Sequence, residues 1–369
     1  MRVLLRGDLA RYTTRGASEA KLFEGELAAK IGVQHALGLN SGTSGLVCAL
    51  VGAGVGPGDE VLVPAYTWVS SAAAALAVGA LPVLVEIDES LTLDVADLER
   101  KISPQTKAII PVHMQNLVCD MDAILALAQA RGLTVIEDAC QAIGVSYRGR
   151  RVGSLGHAGV FSFQQYKNIH SGEGGALVTN SERIYARARM YHDVGSYTRE
   201  GREETREPLF VGVNLRMPEL SAAILRPQLA RLDARIERLQ RHRELAIERL
   251  TKSRAKGFKV SPHHDEASAA GLSIQFDDAE AARSFAAAAR GITRLIDTGR
   301  HVYKNWESIQ TRTPAHPKLN PYSWSQRGVD SGPDSCPKTL DILARTCLIP
   351  LRAEFPTPVY RAWLLRMTQ

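Results

Sequence analysis

Between residues 43 and 180 short apolar runs alternate with amphipathic segments, and this rhythm constrains the fold more than any other feature of the chain. GTSGLVCALVGAG has helical apolar spacing and ends in glycines. DEVLVP is a short apolar run stopped by Pro64. WVSSAAAALAVGA (helix), LPVLVEI (strand), DVADLERKI (helix), TKAIIPVH (strand), MDAILALAQARG (helix) and LTVIEDA (strand) follow in turn. Fully apolar strands separated by helices predict βαβ units, hence an α/β fold with a mostly parallel sheet sandwiched by helices.

After Gly144 the pattern changes. VSYRGRRVG, AGVFSF and GGALVTN read as further strands of the same sheet. RMPELSAAILRPQLARLDARIERLQRHRELAIERL reads as a long helical stretch that Pro227 should kink or break. GLSIQF and DAEAARSFAAAARG suggest a smaller C-terminal α/β domain. The expected division is a large domain over 1–235 and a small one over 236–369, with a loop-like stretch at 299–337.

Composition narrows the class. Of 369 residues, 45% are hydrophobic and 23% charged, as in soluble globular proteins. No apolar stretch is long enough for a membrane span. Arg6 and Asp8 interrupt the opening apolar run, so no signal peptide is expected. The five cysteines are odd in number and lack ligand spacing, which disfavours disulfides and zinc and favours the cytoplasm. The net charge of +6 is spread along the chain, which suits an anionic small substrate better than nucleic acid.

Three constellations carry chemistry. Lys167, in FSFQQYKNIHSGEGGALVTN, lies in a polar, glycine-rich loop between two strands. It is either a surface lysine of a hairpin loop or a Schiff-base lysine activated by its surroundings. Asp138, in VIEDACQAIG, ends a buried strand at the edge where α/β sheets bind ligands. It is either a helix cap or an anionic partner for a ring cation. NSGTSGL places Asn40 to Ser44 before a helix, either as ordinary caps or as a phosphate site. No GxGxxG or GxxxxGK[ST] occurs in the chain, which argues against nicotinamide and P-loop readings. A phosphate cradle, a buried strand-end aspartate and a loop lysine together match the requirements of pyridoxal 5′-phosphate.

At these residues the sequence also resembles the DegT-type (DegT/StrS) sugar aminotransferases, which are fold-type I pyridoxal-phosphate enzymes. NSGTSGL, GPGDEVLVPAYTWVSSA, VIEDACQAIG, FSFQQYKNIHSGEGGALVTN and GVNLRMPELSAA carry the resemblance in order along the chain. It implies that Lys167 bonds the cofactor and serves as acid and base. Asp138 would pair with the pyridine nitrogen, and Gln141 would sit by the ring hydroxyl. Gly42, Thr43 and Ser162 would hold the phosphate, and Trp68 would stack on the ring. Asn214 would reach the phosphate of a neighbouring subunit, which implies a homodimer with its sites at the interface.

Arg216, His301 and Trp306 are substrate candidates, and His113 and His192 are candidates for the pocket wall. The segment HVYKNW, residues 301–306, resembles a branch whose acceptors include keto sugars without a nucleotide, such as octulosonates. The implied activity is transfer of an amino group from L-glutamate or L-glutamine to a keto sugar or keto-cyclitol. Some relatives carry histidine in place of the lysine and dehydrate sugars, so Lys167 favours transamination. A sugar dehydratase and a non-catalytic cofactor-binding regulator are the alternatives. Two departures stand out: some thirty residues before Leu4 that relatives carry are missing, and VHMQNLVCDMD lacks an expected glycine.

Overall fold

The computed structural model describes residues 2–12, 17–195, 207–253, 257–325 and 328–367. The first helices are α1 (Arg2–Arg6) and α2 (Glu19–Ile31). Next come β1 (His35–Leu39), α3 (Gly42–Ala53), β2 (Glu60–Pro64), α4 (Ser70–Ala77), β3 (Leu81–Val85) and α5 (Val95–Lys101). They are followed by β4 (Thr106–Ile109), α6 (Met121–Arg131), β5 (Thr134–Asp138), β6 (Ser146–Tyr147), β7 (Arg150–Arg151), β8 (Ala158–Ser162), β9 (Gly175–Thr179) and α7 (Glu182–His192).

Seven strands form the main sheet in the order β1-β9-β8-β5-β4-β2-β3. From β3 to β8 neighbouring strands pair in parallel, and β9 runs antiparallel to both β8 and β1. The expected mostly parallel sheet is therefore present, and its helices alternate with strands as the sequence pattern predicts. Side chains alternate between faces along each strand. Val83, Val135, Phe161 and Val178 enter one apolar cluster, whereas Leu84, Ile136, Val160 and Leu177 enter the other. Both faces are covered, which explains why these strands read as continuous apolar runs.

One expected strand is elsewhere. VSYRGRRVG does not join the main sheet; β6 pairs with β7 in a separate two-stranded hairpin. Arg148 (φ 48°) and Gly149 (φ 81°) both take the left-handed conformation that a two-residue type I′ turn requires. The loop closes the two strands on each other after only two residues, so neither extends to the sheet.

Beyond a stretch at 207–218, α8 (Glu219–Leu229) and α9 (Leu232–Lys252) lie in tandem. The expected break occurs, though at 230–231, about one turn past Pro227, which lies inside α8. The remaining elements are β10 (Phe258–Val260), β11 (Ser273–Phe276), α10 (Ala279–Ala288), β12 (Thr293–Arg294), α11 (Glu307–Gln310), α12 (Pro321–Trp324), α13 (Pro337–Ala344), β13 (Thr346–Leu348) and α14 (Thr357–Met367). A four-stranded sheet in the order β10-β11-β13-β12 forms around its own apolar cluster. The expected division at 235 falls inside α9. Val302, Tyr303, Trp306 and Ile309 pack with the main sheet's second cluster rather than with the small sheet. No helix among the described residues is long and apolar enough to cross a membrane.

Candidate active site

A cavity of about 1130 Å³ opens where the parallel strands end and the small sheet approaches. Open α/β sheets bind ligands at this edge. Ser41, Gly42, Thr43, Trp68, Asp138, Gln141, Ser162, Lys167 and His301 all line it.

One end of the cavity is built by the start of α3. The Ser41 hydroxyl oxygen accepts from the Ser44 amide at 3.1 Å and caps the helix. The amides of Gly42 and Thr43 lie in the first turn, where no helical carbonyl is available, and they face the anion-favouring end of the dipole. A Cβ on Gly42 would come within 2.8 Å of Cys140 Sγ and 2.9 Å of Ser162 Cβ. Only glycine lets the backbone approach β8 this closely.

Asp138 is 5% exposed at the end of β5. Its Oδ2 accepts from the Ser71 hydroxyl at 2.8 Å, and its Oδ1 accepts from the Cys140 amide at 3.2 Å. Ser71 also shares a 2.8 Å hydrogen bond with Thr67. The preceding carboxylate has a different job. Glu137 points the other way and accepts from the amides of Gly153, Leu155 and Gly156, each at 2.7 Å. Burial together with Asp138 pushes the Cys140 thiol well above its ordinary pKa, partly offset by Lys167.

Lys167 sits in the loop joining β8 to β9. The Gln165 and Ser171 amides donate across that loop to Gly172 and Phe163 carbonyls. Asn168 anchors it through Nδ2, which donates to Asn116 Oδ1 at 2.8 Å and to the Ile143 carbonyl at 3.0 Å. Among the described residues the Lys167 ammonium has neither a hydrogen bond nor an ion pair. Trp68 is 41% exposed, and its ring lies 5.1 Å from that of His301 at a tilt of 58°. Burial and the Lys167 charge lower the His301 pKa, so its ring is neutral near pH 7.

The missing glycine has a structural answer. Asn116 adopts φ 64°, the conformation glycine would have supplied, and asparagine tolerates it better than most residues. Gln115 beside it also has positive φ, and its amide donates to Gln141 Oε1 at 3.3 Å. Both residues form part of the cavity wall.

Five sequence candidates lie outside this cavity. Trp306 is 2% exposed and packs in the core, with Nε1 donating to the Arg300 carbonyl at 2.7 Å. It is a packing residue, because HVYKNW folds under the main sheet. His113 is buried: Nδ1 accepts from the Cys119 amide at 3.3 Å, which leaves the Nε2 proton to donate to Glu137 at 3.1 Å. His192 is buried beside Arg11 and hydrogen-bonds Tyr12 at 3.3 Å. Arg216 is ion-paired with Asp193. Asn214 is exposed, and its Oδ1 accepts from the Arg216 amide at 3.3 Å. Sequence reasoning in turn missed Thr67, Ser71, Gln115, Asn116 and Asn168. The four-residue spacing of two hydroxyls in TWVSS was a usable signal; the others had none.

The family model for the DegT/DnrJ/EryC1/StrS aminotransferases matches residues 8–357. The chain belongs to this family. It is 44% identical over 229 residues to the dTDP-3-amino-3,4,6-trideoxy-alpha-D-glucose transaminase of Streptomyces venezuelae, covering 62% of this chain and 58% of that one. It is 42% identical over 258 residues to the L-glutamine:2-deoxy-scyllo-inosose aminotransferase of Streptoalloteichus tenebrarius, covering 67% of this chain and 60% of that one. These matches thus span less than two thirds of either relative. The crystal structure of 3-amino-5-hydroxybenzoic acid synthase aligns with a TM-score of 0.81 at 29% identity, covering all of this chain and 93% of that one. The fold is accordingly that of fold-type I pyridoxal-phosphate enzymes. The family's cofactor fits the residues present: an anion cradle that only glycine permits, a buried carboxylate for the ring nitrogen and an unpaired lysine.

Proposed function

We propose that this protein is a pyridoxal-phosphate-dependent aminotransferase that moves an amino group from L-glutamate or L-glutamine to a keto sugar or keto-cyclitol, in amino-sugar or antibiotic biosynthesis. The observation that carries the reading is the meeting of an unpaired Lys167 with buried Asp138 in one cavity. The sugar and cyclitol substrates in the names of the two relatives support the acceptor class.

Bound there, pyridoxal phosphate supplies an electrophilic carbon that takes up the amine and a conjugated ring that spreads the electron pair left on the donor's α-carbon. Gly42, Thr43 and Ser162 hold the phosphate through backbone and hydroxyl donors. Asp138, aimed by Ser71 and the Cys140 amide, keeps the ring nitrogen protonated. Trp68, on the cavity wall, would cover one ring face. The Nζ of Lys167 would hold the cofactor covalently and be freed when the donor binds. Once free, the Lys167 amine would take the proton from the donor α-carbon and deliver it to the cofactor side. The second half-reaction runs the same proton transfers in reverse on the keto acceptor.

The protein acts as a homodimer in this reading, with Asn214 reaching the phosphate of the partner's site. Support comes from the exposed apolar run flanking Asn214, where Val211 is 85% exposed, and from Tyr166, 89% exposed beside Lys167. The five free thiols suit a reducing cytoplasm.

Borohydride reduction followed by peptide mapping tests the assignment. The cofactor should be found on Lys167, and Lys167→Ala should bind it without a covalent link and lose turnover. A label on another lysine would overturn the reading. Product analysis separates transamination from dehydration: the acceptor should return as an amine, not as a deoxy keto sugar.

A further inference from the structure

The cavity is larger than the cofactor alone requires, and one wall of it is made by α9 and the residues that follow β13. Two arginines stand on that wall, Arg235 from α9 and Arg352 from the segment after β13. Two other arginines of α9 are spent on structure. Arg238 donates to the Ala353 carbonyl at 3.0 Å, and Arg243 donates to the Gly271 carbonyl at 3.1 Å and to Glu266 at 2.7 Å. Arg235 and Arg352 differ. Among the described residues neither guanidinium donates a hydrogen bond to the protein, and each reaches only Glu354, at 4.0 and 3.7 Å. Arg235 Nε is buried without a partner. A guanidinium carries five donors in a planar fork, and leaving them idle beside a cavity wastes a strong recognition element. Glu354 lies between the two and Glu173 also lines the cavity, so the wall is not simply a field of positive charge. What the protein leaves without a protein partner is directional donor capacity: the buried Nε of Arg235 and the half-exposed fork of Arg352.

We infer that Arg235 and Arg352 form a subsite for an anionic group of a substrate, a carboxylate or a phosphate, held by forked hydrogen bonds. This rests on the aminotransferase reading and deepens it, because it names the residues that hold a substrate's anionic group and the test says which substrate carries it. Both arginines belong to segments that frame the cavity from the small-sheet side. Charge-assisted forked pairs are strong and geometrically selective, so they orient the substrate as well as attract it. The anion belongs to the amino-acid donor, to a sugar acid or to a sugar-linked diphosphate, and the test distinguishes the three.

The cofactor-loaded full chain is titrated calorimetrically with glutarate, gluconate and inorganic pyrophosphate. Loading fills the phosphate cradle of α3 beforehand. At least one probe should bind, and its affinity should fall about tenfold or more in the Arg235→Gln, Arg352→Gln double variant. Glutarate as the responsive probe assigns the subsite to the donor, gluconate to a sugar acid, and pyrophosphate to a nucleotide-linked acceptor. Should the double variant not fold, the single Arg→Lys variants carry the test, since they keep the charge and lose the fork; each should weaken the responsive probe severalfold. Absence of binding by all three probes, or equal affinity in wild type and variants, overturns the inference. Borohydride labelling of Lys167 in the same preparation keeps the two readings apart. A missing label sinks the aminotransferase assignment, whereas a label without anion binding sinks only the arginine subsite.

Discussion

The Ser71 hydroxyl donates to the Asp138 carboxylate at 2.8 Å across 67 residues of sequence. This bond ties α4, which follows β2, to the end of β5, and it helps fix the orientation of that carboxylate. A hydrogen bond to a charged group contributes about 1.5–3 kcal/mol. Ser71→Ala should therefore weaken cofactor binding about tenfold or more, measured by fluorescence titration of the cofactor-free protein. Unchanged affinity would show that Ser71 only packs.

Asp138→Asn keeps the shape of the side chain and removes its charge. The ring nitrogen then loses the anion that keeps it protonated, while Lys167 remains in place. Turnover should fall on the order of a hundredfold or more, as for loss of other electrostatic groups in active sites. Borohydride should still fix the cofactor to Lys167. A variant that turns over normally would remove Asp138 from the mechanism.

At Asn116 the backbone conformation and the side chain can be separated. Asn116→Gly keeps φ 64° accessible and loses only the bond from Asn168. Asn116→Val loses the bond and also forces a β-branched residue into the left-handed region, which costs about 1–2 kcal/mol. Urea unfolding should rank the valine variant below the glycine variant. The reverse order would mean that the loop relaxes out of its left-handed conformation at no cost.

His192 gives the fold a response to acid. Burial, followed by the charge of Arg11, lowers its pKa from 6.5 to about 3. Between those values the unfolded chain takes up a proton that the folded chain refuses, so the unfolded state binds more protons and stability falls as the pH drops. Above pH 6.5 neither state is protonated and this contribution is constant. His192→Gln should flatten part of the stability loss between pH 6.5 and 3, measured by urea unfolding across that range. Parallel curves for the two proteins would contradict the assignment.

The misreadings fall where partners are distant in sequence. Trp306 and His301 are five residues apart in one segment, yet His301 lines the cavity and Trp306 lies beneath the main sheet. Periodicity carries no information about which way such a short irregular segment faces. His113 and His192 looked like pocket residues because histidine is chemically versatile, and both are instead consumed by hydrogen bonds in the core, to Glu137 and to Tyr12. Asp138 and Lys167 were legible because strand-end position and glycine-rich loop chemistry are local signals.

From its amino-acid order alone, the chain determined the alternation of strands and helices, the edge of the sheet where the cavity opens, and the lysine, aspartate and helix start that line it. These follow from side-chain period and from the backbone donors at the start of a helix, which depend on near neighbours. Tertiary structure alone decided that Ser71 would orient Asp138, that Asn116 would pin the lysine loop, and that Arg235 and Arg352 would share a wall with their donors unspent. Those relationships join segments tens to more than a hundred residues apart. Only the packing of helices and the small sheet around the main sheet brings such segments within hydrogen-bonding reach.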